Sequence, residues 1–352
     1  MRRPSLGRCG PGVRGARVVV VGAGMAGLGA ATELGRRGAA RMWLCLRHAT
    51  GSAAESVPID RGGVPVEVGA AWLEGVGKNV MVALVQRAGL ARVPTNFNEE
   101  TIRNIRTGLP DRAAGRRAAS LVRLTDALEE SSPPVTMSVG TWLTNHGWVS
   151  DGPDDWAENT EIAQEYALDP NLLGTHAITE GANEYGRDEF VKGGYDRVPR
   201  MLAGPLDVRL STPVSAVSAE GSRVAVTTAS GRSVAADLAV VAVPLALMQA
   251  GLPTITPMPS RVWSGITRLT TGSLQKVALR FDRDWWRRDY GDDTQIIGLV
   301  GGRWTEWFDI TNVTGVPSLV GFCAGAAADR RPTSDAACVA EAMSEFRGAY
   351  GG

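Results

Sequence analysis

Residues 17–38 read Arg-Val-Val-Val-Val-Gly-Ala-Gly-Met-Ala-Gly-Leu-Gly-Ala-Ala-Thr-Glu-Leu-Gly-Arg-Arg-Gly. Val18 to Val21 form a continuous apolar run, the pattern of a strand buried on both faces. Gly22, Gly24 and Gly27 follow at G-x-G-x-x-G spacing, and Ala30, Ala31 and Leu34 then recur at helical spacing. Strand, glycine turn and helix in that order make the phosphate-binding corner of a dinucleotide fold. Gly22 permits the tight turn, Gly24 lets backbone approach a pyrophosphate, and Gly27 lets helix and strand pack closely. The free N–H groups of the helix start, at Met25 and Ala26, then face the anion. The alternative is a glycine-rich strand–helix turn without a ligand.

The remaining composition sets bounds. The chain has 352 residues, 44% of them hydrophobic, enough for a large core in two domains. Its 37 basic and 37 acidic side chains cancel, which gives no reason to expect nucleic acid or an acidic membrane as partner. No apolar run approaches a membrane span. Cys9, Cys45, Cys323 and Cys338 lack disulfide or metal spacing, so a reducing, cytoplasmic location is expected. His48, His146 and His176 form no ligand cluster, and no metal is expected. Residues 1–16 carry Arg2-Arg3 but no separate apolar segment, and read as a disordered basic tail rather than an export signal.

Further along, a second strand is expected from Arg41 to Leu46, short extended pieces over 57–69, and a helix over 78–88. Residues 94–119, rich in Arg, Asn and Gly, read as loop. Helices are expected at 120–130, after a Ser138 cap, and at 157–167. Short strands follow Gly193-Gly194, then a second fully buried strand at 237–243, strands at 274–281, 296–300, 303–310 and 319–323, and a helix at 334–346. The fold class implied is α/β: a Rossmann-like nucleotide domain interleaved with an α+β substrate domain. Residues 17–77 and 193–250 are assigned to the first, and 78–192 and 251–352 to the second.

Four motifs in this order resemble the flavin-containing amine oxidases, most closely their polyamine oxidase branch. They are Val-Val-Gly-Ala-Gly-Met-Ala-Gly-Leu (20–28), Val-Glu-Val-Gly-Ala-Ala-Trp-Leu-Glu-Gly (66–75), Phe-Val-Lys-Gly-Gly-Tyr (190–195) and Gln-Lys-Val-Ala-Leu-Arg-Phe (275–281), the last followed by Trp285-Trp286. The resemblance implies FAD as cofactor, an amine or polyamine as substrate, and molecular oxygen as oxidant. A C–N bond is oxidised by hydride transfer to the flavin, and hydrogen peroxide is released.

It also implies site residues. Lys276 matches the lysine that holds a water against the reactive flavin nitrogen; the alternating strand around it leaves a solvent-facing lysine as the alternative. Glu74 matches an acidic residue of the substrate tunnel, or else is a turn residue before Gly75. Glu165 and Tyr166 fall where the branch has a Glu–aromatic pair, which suits an alkylammonium; a helix end with a core tyrosine is the alternative. Gly69, Ala70 and Trp72 of the second motif join the cofactor contacts, as does Val214, which otherwise is a core valine.

Two departures stand against the resemblance. In the family the second strand ends in a glutamate that bonds the ribose, followed by Ala-Arg-x-x-x-Gly-Gly-Arg; here Leu46 and the altered segment 46–56 occupy those places. A coding sequence exists for residues 47–56 whose reading from the third base spells Ala-Arg-Asp-Arg-Ile-Gly-Gly-Arg-Ile, which makes a short frameshifted window the expected origin. Nothing after Gly325 resembles the family's last segment, so the chain reads as C-terminally truncated. Two other functions stay open: a damaged relative that binds FAD poorly, and a nicotinamide-dependent dehydrogenase built on the same glycine corner.

Overall fold

The computed structural model describes residues 13–39, 41–45, 54–97, 100–152, 155–179, 186–289 and 296–351. Leu46 and most of the altered segment lie outside them, as do residues 1–12. Residues 13–16, expected within the tail, form a turn whose Gly15 N–H donates to the Gly38 carbonyl (2.8 Å). The chain divides into two compact units, Met1–Glu55 with Tyr195–Thr271, and Ser56–Gly194 with Gly272–Gly352. The boundaries differ from those expected: 56–77 belong to the second unit and 251–271 to the first.

The first unit is built on the opening strand. Arg17–Val21 lies inside a parallel four-stranded sheet ordered Leu238–Val241, Arg17–Val21, Arg41–Cys45, Val208–Arg209. Val18 and Val20 are fully buried, as a strand covered on both faces requires. Its partner Leu238–Val241 was expected to be equally buried, but Leu238 is exposed. Among the described residues that strand forms one edge of the sheet. A second sheet, ordered Ser233–Ala236, Arg223–Thr228, Val214–Glu220, Thr254–Thr256, packs valines against it: Val19 and Val21 meet Val217 and Val226.

In the second unit a mixed five-stranded sheet runs in the order Leu274–Arg280, Ser318–Ala324, Glu306–Asp309, Ile296–Val300, Glu100–Asn104. Alternation gives it two faces. One face, with Val277, Leu279, Leu319, Trp307 and Leu299, packs on Ala342 and Phe346 of the helix Asp335–Tyr350. The other carries Lys276, Phe322, Glu306 and Phe308. Residues 94–119, expected as loop, hold the strand Glu100–Asn104 and the start of the helix Arg112–Glu129. The strand exists because it pairs in parallel with Ile296–Val300, far along the chain. The helix starts early because the Asp111 carboxylate caps it, accepting from the Ala114 N–H (3.1 Å). Ser138 caps Val139–Asn145 as expected.

Candidate functional site

The glycine corner has the geometry a pyrophosphate needs. Gly22 has φ +110°, and a Cβ on it would lie 2.2 Å from the Ala242 carbonyl oxygen. A Cβ on Gly27 would lie 1.8 Å from the Gly22 carbonyl oxygen, so helix and strand touch through backbone. At Gly24 a Cβ would meet nothing within 4 Å. Gly24 is the N-cap of the helix Met25–Arg36, and no side chain caps that end. An open backbone shelf at an uncapped helix start fits a dinucleotide phosphate. The ribose-binding position, by contrast, lies outside the described residues.

The second unit holds a cavity of about 610 Å³. It is walled by the segment 68–74, the helical stretch 160–165, Phe97, Asp188 and the face of the large sheet that carries Lys276. The register sets one row across that face, because Lys276 pairs with Phe322 and Phe322 with Glu306. Neighbouring strands are about 4.8 Å apart, so the backbones of Lys276 and Glu306 stand roughly 10 Å apart with a phenyl ring between.

Lys276 donates from Nζ to the Gly69 carbonyl. Its ammonium lies 5.0 Å from the Phe322 ring centroid and 5.6 Å from that of Trp72. Burial lowers its pKa to about 8, and the charge of Glu67 opposes the shift. Trp72 is held by its Nε1–H on Thr95 Oγ1 (2.9 Å) and by the Phe190 ring, centroids 4.3 Å apart. Its edge contact with Phe308, at 5.0 Å, continues the aromatic wall.

The lining also carries acidic side chains, Glu74, Glu161, Glu165, Asp188 and Glu306. Asp188 is occupied by the Gly75 N–H (2.8 Å). Burial raises Glu161, and burial with the nearby Glu100 and Glu161 raises Glu306 well above the carboxylate range. Glu100 itself is pushed up to about 7, by burial first and Glu161 second.

The structure therefore brings Lys276, Gly69, Ala70, Trp72, Glu74 and Glu165 to one cavity. Tyr166 is not part of the lining: it packs with the helical core around Trp156 and Ile162, and burial raises its phenol. The reason is the wide turn at Asn159–Ala163, after which Ala167 adopts φ +58° and ends the helix. Val214, in the first unit, packs into the valine cluster between that unit's two sheets. Sequence reading missed Glu161, Glu306, Phe308 and Phe322. No local signal marks them; the cross-strand register that unites them with Lys276 does.

Comparison with known proteins agrees with this layout. Residues 25–352 match the family model described as flavin containing amine oxidoreductase. Relatives include "Probable polyamine oxidase 4" of Arabidopsis thaliana, 27% identical over 337 residues, which cover 88% of this chain and 66% of that one. "Polyamine oxidase 4" of Oryza sativa subsp. japonica is 26% identical over 336 residues, 88% of this chain and 67% of its own. The chain thus spans about two thirds of the length of these relatives. "Lysine-specific histone demethylase 2" of Homo sapiens is 33% identical over 128 residues, 35% of this chain. Among solved structures, wild-type putrescine oxidase bound to putrescine superposes with TM-score 0.77 at 20% identity, covering 96% of this chain and 82% of that one. This last likeness bears on the fold.

Proposed function

Given that the chain belongs to the flavin-containing amine oxidoreductase family, we propose that it oxidises an amine bearing a second cationic nitrogen, a diamine or polyamine. The observation that carries this reading is the row Lys276–Phe322–Glu306, a basic and an acidic group on opposite sides of an aromatic floor inside one cavity. FAD, once bound at the glycine corner, supplies the hydride acceptor.

The chain's own residues do the rest. Trp72, Phe308 and Phe322 cover the alkylene chain of the substrate and keep water from it. Glu306 and Glu161 accept the distal ammonium, and its arrival favours their ionised form. Lys276, lowered to about 8, retains an unprotonated fraction near neutrality, so its Nζ can hold a water or take a proton beside Gly69. Glu74 and Glu165, exposed at the rim, attract the polycation into the cavity. A cytoplasmic site of action fits the two buried free thiols, Cys323 and Cys338.

Glu306→Gln tests the reading. In FAD-supplemented protein, KM for 1,4-diaminobutane should rise about tenfold or more, while KM for n-butylamine stays nearly constant, with peroxide release as readout. Equal effects on the two amines would remove Glu306 from the distal ammonium. No turnover of any amine would reject the oxidase reading.

A further inference from the structure

The helical stretch at residues 156–166 is not uniform. Across Asn159–Ala163 the turn widens, and the Gln164 N–H donates to the Asn159 carbonyl, five residues back. In an α-helix, residues five apart point about 140° away from each other. The wider turn brings Asn159 and Gln164 round to one side, a geometry often found where function needs it.

On that side both side chains reach a single hydroxyl. Thr305 Oγ1 donates to Asn159 Oδ1 (2.9 Å) and accepts from Gln164 Nε2 (3.0 Å). Asn159 Nδ2 also donates to the Ala324 carbonyl (3.0 Å), and Trp156 Nε1 donates to the Thr305 carbonyl (2.9 Å). Asn159 and Thr305 are buried, so water does not compete for these bonds. The knot joins two walls of the cavity, the helical stretch and the large sheet. Glu161 sits within the widened turn, and Glu306 follows Thr305 directly. The Thr305 N–H donates to the carbonyl of Phe322, the ring between Lys276 and Glu306 (3.1 Å).

We propose that the Thr305 hydroxyl is a positioning group which, by clasping the widened turn, fixes the spacing of Glu161 and Glu306 and so selects amines with a second cationic nitrogen. The proposal rests on the amine reading above. Two carboxylates converging on one ammonium work only at a set separation, and an error of about 1 Å loosens the pair. A monoamine places nothing there and does not sense the error.

Calorimetric titration of the whole chain with 1,4-diaminobutane and with n-butylamine tests this, using Thr305→Val and Thr305→Ser. Valine keeps the shape and removes the hydroxyl. It should weaken diamine binding about tenfold and leave butylamine nearly unchanged, and serine should restore the diamine. Gln164→Met removes the amide's bonds to Thr305 Oγ1 (3.0 Å) and Asn159 Oδ1 (3.5 Å) while leaving that between Thr305 and Asn159; it should give a smaller loss of the same selectivity, which serves if Thr305→Val folds poorly. Parallel loss for both amines, no diamine loss in Thr305→Val, or no rescue by serine would overturn the clasp. Failure of the unmodified chain to bind the diamine would instead overturn the amine reading on which the clasp rests.

Discussion

At the scale of single residues, the glycine corner separates packing from binding. A methyl group on Gly27 meets backbone at 1.8 Å, whereas one on Gly24 meets open space. Gly27→Ala should therefore lower the thermal midpoint by several degrees. Gly24→Ala should melt like the parent and still lose FAD affinity, by about tenfold or more in a flavin-fluorescence titration. Lys276 offers a test by pH. Its folded pKa is lowered from 10.5 to about 8, so the fold disfavours the ammonium. The cost is complete below about 8, fades as pH rises, and is gone above 10.5. Relative to Lys276→Met, the parent should gain stability between pH 8 and 10.5 in denaturant melts; parallel curves would place the amine in water. Lys276 and Glu74 were legible because they sit inside motifs. Glu306 was not, because Thr305-Glu306-Trp307 reads like any strand with one polar face. The face it shares with Lys276 is set by pairing through Phe322, which no local pattern encodes.

Among elements, the helix Asp335–Tyr350 does more than cover the sheet. Glu345 on its buried side accepts the backbone N–H groups of Arg303 (2.7 Å) and Trp304 (3.2 Å), and Arg303 turns back to Glu341 (3.1 Å). The helix thus pins the turn that leads into Thr305 and Glu306. Burial raises Glu345 from 4.5 to about 7, so its share of stability is whole below 4.5 and is lost as pH climbs through 7. Compared with Glu345→Gln, which does not titrate there, the parent should lose stability between pH 4.5 and about 7.5 in chemical melts. A constant difference would show that the carboxyl is ionised throughout. Elements with local signals, such as Arg17–Val21 and the Ser138-capped helix, were readable from sequence. Glu100–Asn104 was not, since its strand character comes from a partner that begins at Ile296. The widened turn at Asn159–Ala163 was invisible too, because the hydroxyl that bonds its Asn159 lies on another element.

For the whole molecule, the interleaving of two units was foreshadowed by the change of texture at Gly193-Gly194. The boundary at 194–195 falls at that change of texture, whereas those at 55–56 and 271–272 follow from pairing partners rather than composition. The chain passes between the units three times, at 55–56, 194–195 and 271–272. That path has a consequence for synthesis. Val18 pairs with Leu238, and the Arg17 N–H waits for the Asp237 carboxylate, 220 residues later. At about 5–20 residues per second, the ribosome leaves the Val18–Val21 strand without that partner for roughly 10–45 s. A bare apolar strand edge invites pairing with other chains during that interval. Ribosome-stalled chains that have exposed residues up to about 200 should thus be cut readily by protease near Val18–Val21 and held by chaperones. Protection should appear only once 238–241 has emerged from the exit tunnel, so yield in a cell should depend more on chaperone supply and translation speed than on the stability of the finished fold.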